Sequence, residues 1–365
     1  MEKVKDVVQY LESLAPRSMQ EEYDNSGLIV GDLTMEITGV LVCLDSLEST
    51  VDEAIANNCN VIVAHHPIVF KGLKSLTGKN YVERVVIKCI QHNIALYAIH
   101  TNFDNYYFGV NYEIGRRIGL KNLTILQPKA NVLNKLSVFV PIENADDLSK
   151  ALFSAGAGNI GNYQECSFST IGLGTFKPIG EANPTTGKLN ELSSLEELKL
   201  EFLVSSHLTS AVVAAMKANH PYEEVAYDLV ALSNENQTEG SGMVGELAIE
   251  MDEMEFLKHI KSTFSAGAIR YTKLLNKNIK KVAFCGGSGS FLLSKAKQSG
   301  ADVFITADFK YHEFFDADNQ IMIVDIGHYE SEQFTINLLA DIITKKFANF
   351  AVRLTEQNTN PINYL

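Results

Sequence analysis

At 365 residues and 46% hydrophobic, the chain has enough apolar material for two or three domains with substantial cores. A formal net charge of -13, with no Lys/Arg run, excludes a non-specific nucleic-acid surface, which needs a basic patch to displace counterions from phosphate. Five scattered cysteines (Cys43, Cys59, Cys89, Cys166, Cys285) form no C-x-x-C pair, so neither a disulfide framework nor a zinc ribbon is expected, and a reducing, cytoplasmic home is.

The opening MEKVKDVVQYLESL predicts an amphipathic helix with Val4, Val7, Val8 and Leu11 on one face, not a cleaved leader. No apolar run approaches the ~20 residues of a membrane span, so a soluble protein is expected. Next, VLVCLD (40–45) reads as a buried strand, residues 47–58 as a helix and NVIVAHHP as a strand. Residues 81–93 read as a helix, and IALYAIHTNFD as the strand after it.

The middle of the chain, 129–238, has a different order. LSVFVP, a helix over 146–155 and CSFSTIG are followed by a loop rich in Gly, Pro and Asn. LKLEFLVS, a helix over 208–218 and VAYDLVAL complete it. Strand–helix–strand twice over predicts an inserted ferredoxin-like α+β domain, closed by a polar linker, SNENQTEGSG (233–242). Such an insertion is easily accommodated in a surface loop of a host fold.

From residue 239 the first pattern returns. KKVAFC is a strand, FLLSKAKQSG a helix, ADVFITADF a strand with a short helix around His312, and QIMIVDIGHYESE a strand before a helix over 333–347. The expected fold class is therefore α/β: two duplicated halves, 1–128 and 239–365, forming one domain, with 129–238 inserted between them. The second and third strands of each half run into polar residues, which places a site beyond the carboxyl ends of strands.

Those polar residues are metal-binding types. His65-His66 closes a strand before Pro67, which resists continued pairing. His328 and Glu332 are four apart, a spacing that sets both on one face of a helical turn. Asp104 lies past its strand, free to bridge cations through two acceptor oxygens. Imidazole nitrogen and carboxylate oxygen suit zinc, iron or manganese, and five ligands are about right for two metals. His100 and His312 are candidates to move protons, and Asp308 to line the cleft. CGGSGS (285–290) is either a tight strand-to-helix turn or an anion cradle, though it lacks a P-loop lysine. The metal-like HPYEE (220–224) is explained more simply as a helix end followed by proline.

Six ordered motifs, DNSGLIVG, VIVAHHP, IHTNFD, FCGGSGS, TADFKYHE and IGHYESE, resemble those of the GTP cyclohydrolase I type 2-like family, the NGG-interacting-factor-three-like dimetal proteins. The resemblance covers both halves. The segment with GTFKPIGEANPTTGK and NHPYEEVAYD is similar to the insert of longer bacterial members, akin to PII and CutA-type domains. It implies two intertwined α/β halves and two divalent metals, zinc or iron, on His65, His66, Asp104, His328 and Glu332. It also implies a toroidal homohexamer. The activity expected is metal-dependent hydrolysis of a nucleotide or other phosphorylated small molecule, possible GTP ring opening included. The competing expectation is a non-enzymatic metal-binding regulator whose insert senses a small molecule.

Overall fold

The computed structural model describes residues 2–365 of a mixed α/β chain with several sheets. It forms two compact units, one from residues up to Gln127 together with Thr238–Leu365, the other from Pro128–Gln237.

In the first unit, apolar runs too short for helices become strands buried on both faces. Gly39–Cys43, Val61–Ala64 and Ala95–Ala98 are buried at every position, the pattern of parallel strands covered on both sides. They pair in parallel, with Cys43 level with Ala64 and Ala64 level with Ala98. The residues that follow each strand therefore leave the sheet along one edge. Helices Glu48–Ala56 and Tyr81–Gln91 make the crossovers; the second is capped by the Asn80 side chain, which accepts from the Glu83 amide. Gly27–Val30 pairs antiparallel with Ala95–Ala98, and Ala351–Leu354 pairs in parallel with Gly39–Cys43. The last strand of the chain thus completes a sheet that the first hundred residues began.

A second sheet of the same unit has Ile279–Ser288, Val303–Ala307 and Met322–Asp325 as its parallel centre. Arg270–Tyr271 flanks it on one side, Glu235–Met251 and then Lys121–Ala130 on the other. One apolar cluster joins Val63 and Tyr97 to Phe284, Ile305 and Val324, with Leu339 and Ile343 of helix Thr335–Lys346 packed into it. The N-terminal helix spans Val4–Leu14 and buries the four residues its periodicity singled out.

Three expectations need correction. The polar stretch 233–242 is no linker, because most of it belongs to strand Glu235–Met251. Backbone pairing holds its second half, where Met243–Glu246 runs antiparallel to Lys281–Phe284; its first half lacks apolar side chains and so carries no strand pattern in the sequence. HTNFD is not the tail of a strand, since pairing stops at Ala98 and Thr101–Asn105 is helical. Likewise the strand expected through GHYESE ends early, at Asp325, while His328–Glu332 forms the helical turn that their spacing suggested.

The second unit runs strand Leu133–Pro141, helix Ala145–Ser154, strands Ser167–Phe176 and Ser193–Ser205, helix Thr209–Asn219 and strand Tyr227–Leu232. Its antiparallel sheet has Ser193–Ser205 and Leu133–Pro141 at the centre, with Ser167–Phe176 and Tyr227–Leu232 at the edges. Leu136, Val138, Leu148, Leu152, Phe202 and Met216 give it a core of its own. His220 follows the helix end; its Nε2 meets the Phe139 carbonyl oxygen at 2.9 Å and its Nδ1 accepts from the Tyr222 amide, a structural role. Among the described residues, no helix is long and apolar enough to cross a membrane.

Candidate metal centre

The first sheet delivers two histidines where its ladder runs out. The amides of His65 and His66 still donate to the carbonyl oxygens of Cys43 and Leu44, and Pro67 then ends the pairing. Adjacent strand residues face opposite sides, but at this terminus the two rings lie 4.9 Å apart. His65 is fully buried. One strand over, His100 precedes the helix that carries Asp104.

The second sheet delivers its pair through a glycine. Gly327 has φ +94°, and a Cβ there would come 2.2 Å from Glu330 Oε2. That backbone lets His328 open a helical turn, so His328 and Glu332 share a face, with Nε2 and Oε2 3.1 Å apart. Gly287, at φ +57°, leaves room for Glu332; a Cβ there would lie 2.4 Å from Oε1.

The two sheets meet at Glu332. Its Oε2 lies 3.0 Å from His66 Nε2, 3.1 Å from His328 Nε2 and 3.9 Å from His65 Nε2. Asp104 Oδ1 is 3.5 Å from His65 Nε2. Three groups of donors lie close enough to hold an ion: His65, Asp104 and Glu332; His66, His328 and Glu332; His65, His66 and His100.

Each imidazole is aimed from behind. Nδ1 of His65 meets the Ile99 carbonyl oxygen at 2.9 Å. Nδ1 of His66 meets Asp45 at 2.8 Å, that of His100 meets Asp24 at 2.8 Å, and that of His328 meets Asp308 at 2.6 Å. Acceptors on all four Nδ1 atoms fix the proton there and turn the Nε2 lone pairs inward, the arrangement of metal-binding histidines.

The centre is short of positive charge. His65 Nε2 and Asp104 Oδ1 are buried without a hydrogen-bond partner, although they face each other. With the His65 proton on Nδ1 and Asp104 ionised, both atoms are acceptors, and two buried acceptors in contact call for a cation between them, a metal ion or, in its absence, a proton. Burial pushes His65 down to about 3, so it is neutral. Burial, then the charge of Glu332, pushes the Asp104 carboxyl well above the usual carboxylate range. Burial works against a charge on His66, but its hydrogen bonds to Asp45 and Glu332 raise it to about 9. The charge of Glu332 overrides burial to raise His328 to about 11. Burial would raise Glu332 itself, yet His328 and His66 hold it well below its ordinary value. Protons on two imidazoles thus neutralise what cations would, and the donor set fits a divalent metal of the zinc, iron or manganese kind.

All five expected ligands and His100 therefore lie together. His312 does not join them: it sits exposed on the 3-10 helix Tyr311–Ala317, with its ring against Tyr311 and Phe315. It belongs to none of the three donor groups and is not among the residues lining the cavity over them. The CGGSGS turn is no open anion cradle either. Its Gly286, Gly287 and Gly289 amides donate to Asn111, Ser331 and Thr306 side chains.

Asp24, Asp45 and Thr359 were not anticipated. Asp45 lies two residues past strand Gly39–Cys43, at the same end of the sheet as His65 and His66, so the signal was present. Thr359, whose hydroxyl donates to Asp45 Oδ2 at 2.6 Å, gave none.

Comparison with known proteins places the whole chain. Residues 2–361 match the Duf34/NIF3 (NGG1p interacting factor 3) family. The chain is 36% identical over 368 residues, all of both proteins, to a GTP cyclohydrolase 1 type 2 homolog of Staphylococcus aureus (strain MSSA476). It is 43% identical over 324 residues, 88% of this chain and 87% of the relative, to a protein of the same name from Halalkalibacterium halodurans. Among solved structures, a Bacillus cereus protein related to NIF3 superimposes with a TM-score of 0.87 at 36% identity, covering 100% of this chain and 99% of that one.

Proposed function

The chain belongs to the Duf34/NIF3 family, and from that premise we propose that it is a metal-dependent hydrolase holding two divalent cations, zinc before iron or manganese. One group would be His65, Asp104 and Glu332, the other His66, His328 and Glu332. The observation that carries this reading is the facing pair of buried, unpartnered acceptors, His65 Nε2 and Asp104 Oδ1, beside a carboxylate oxygen reached by three imidazoles. Three protein ligands per ion would leave positions for water, as in catalytic rather than structural sites. When bound, such cations supply Lewis acidity and an activated water.

The remaining work falls to side chains. His100, held through Nδ1 by Asp24, is placed to take a proton from water or return one to a leaving group at Nε2. Asp45 and Asp308 keep His66 and His328 in the tautomer that offers Nε2. The relatives are named as homologs of GTP cyclohydrolase 1 type 2. The matching reaction would be opening of the guanine ring of GTP, one water adding at C8 as a ring carbon–nitrogen bond breaks and a second water releasing formate from the resulting formamide, with other nucleotides and phosphoesters as the wider class.

A small-molecule-sensing insert belongs to the non-enzymatic alternative; the hydrolase reading extends to a cytoplasmic homohexamer of two repeated halves with a ferredoxin-like insert. In its support, both parallel strand triplets carry an antiparallel strand beside their third member, and the insert runs strand–helix–strand twice.

Metal analysis of purified protein, with turnover assays on nucleotides, phosphoesters and amides, tests the proposal. About two equivalents of metal and a hydrolysis lost in a folded Glu332→Ala variant are expected. Metal without turnover of any substrate would favour the non-enzymatic regulator.

A further inference from the structure

The cavity over this centre has a volume of about 730 Å³, within the range of small-molecule pockets. Its wall carries information on charge that the metal ligands do not. Among the described residues lining it there is no lysine and no arginine. Glu21 and Asp45 join the ligands Asp104 and Glu332 on the wall, while Asp24 and Asp308 stand directly behind His100 and His328. The charge of two divalent cations would not outweigh these six carboxylates.

A second, separate observation concerns backbone. Phosphates are commonly held by glycine-rich amides opening a helix. The chain has such a turn on this wall, and three of its amides already donate to side chains. Neither usual means of recognising a phosphate is therefore on offer beyond the cations themselves. What the wall does offer is aromatic surface: Tyr23, Phe70, Tyr81 and Phe291 line the cavity and are exposed, and the Phe70 ring lies 5.8 Å from that of His100. Exposed aromatic faces accept flat rings by stacking whatever their edge pattern.

We infer that the cavity takes a flat, uncharged ring compound of the nucleoside, nucleobase or cyclic-amide class and discriminates against its phosphorylated form. The inference rests on the two-cation hydrolase reading; it keeps the ring opening considered there and replaces the phosphorylated substrates by their uncharged counterparts. The matching reaction is hydrolysis of a ring carbon–nitrogen bond. The oxygen of water bonds to the ring carbon, the carbon–nitrogen bond breaks, and the freed nitrogen takes the proton. No other reactant is needed.

The test is calorimetric binding of the four common ribonucleosides and their 5′-monophosphates to the intact, zinc-loaded protein, with metal content measured on the same sample. At least one nucleoside should bind, and its monophosphate more weakly by roughly ten-fold, from like-charge repulsion. Phe291→Arg, a change at an exposed wall position, should narrow that gap. A monophosphate binding as well as its nucleoside, no nucleoside binding to metal-replete protein, or a gap indifferent to Phe291→Arg would each overturn the inference. Loss of the two-cation reading would show separately, as protein that retains no metal. A nucleoside that binds but is never hydrolysed would sink the hydrolase reading and leave the ligand class standing.

Discussion

Two strand ends in this molecule carry the same spacing, a histidine and an acid four residues on, and use it differently. After Ala95–Ala98 come His100 and Asp104; after Met322–Asp325 come His328 and Glu332. Each pair meets a five-residue helix, yet only the second pair shares a helical face. His100 lies outside its helix, at φ -118° and ψ -113°, and turns to Asp24. In the second pair Gly327 takes up the unusual backbone, His328 becomes the first helical residue, and Glu332 becomes the oxygen on which three imidazoles converge. Spacing nominates ligands; the residue at the cap decides which acid becomes the hub.

The largest expected effect separates the two acids. Glu332→Gln removes a charge shared by both donor groups, so both metals should be lost, with affinity falling by more than about 100-fold. Asp104→Asn touches one group and should leave about one metal per chain. Equal stoichiometry in the two variants, measured by elemental analysis after gel filtration, would show that Glu332 is no hub. Next comes the glycine that distinguishes the pairs. Gly327→Ala forces a side chain into a positive-φ position against Glu330 Oε2 and should destabilise the fold by about 1–3 kcal/mol in urea melts.

A pH series sharpens the comparison further. In metal-free protein His66 and His328 are raised from 6.5 to about 9 and about 11. A raised histidine stabilises the fold fully below its unfolded value and loses that contribution as pH climbs through the folded one. The metal-free melting temperature should therefore fall from about pH 6.5 through about 9 and on toward about 11. Metal affinity should rise over the same range, because cations displace those protons. A metal-free melting temperature that rises over this range would contradict the proton-for-metal exchange.

Much of this was legible in the sequence because it depends on local pattern. Short, wholly apolar runs bounded by polar residues marked the parallel strands, and the ligands stand where those runs stop. What escaped depends on partners distant in sequence. Strand Glu235–Met251 pairs with Ile279–Ser288 only from Met243 onward, and its polar start, which lacks any apolar pattern, read as a linker. His312 sits at the right distance along the chain, but a 3-10 helix carries it outward. Asp24, Asp45 and Asp308 hold imidazoles 76, 21 and 20 residues away, and nothing in a linear reading pairs them.

The smallest expected effect concerns how those orienting carboxylates are themselves held. Asp45 accepts from the Thr359 hydroxyl, whereas among the described residues no such hydroxyl clamp is found on Asp308. Thr359→Val removes the hydroxyl, but the Asp45 side chain is 30% exposed, so water replaces the lost donor. The net loss should be that of one ordinary hydrogen bond, about 0.5–1.5 kcal/mol, read as a few-fold weaker metal binding. Asp308→Asn, by contrast, removes the acceptor charge behind His328 and should weaken binding about 10–100-fold. A Thr359→Val variant as damaged as Asp308→Asn would mean that the chain end orients the first sheet's ligands as strongly as the second sheet orients its own, and the contrast between the two strand ends would have to be redrawn around the tail.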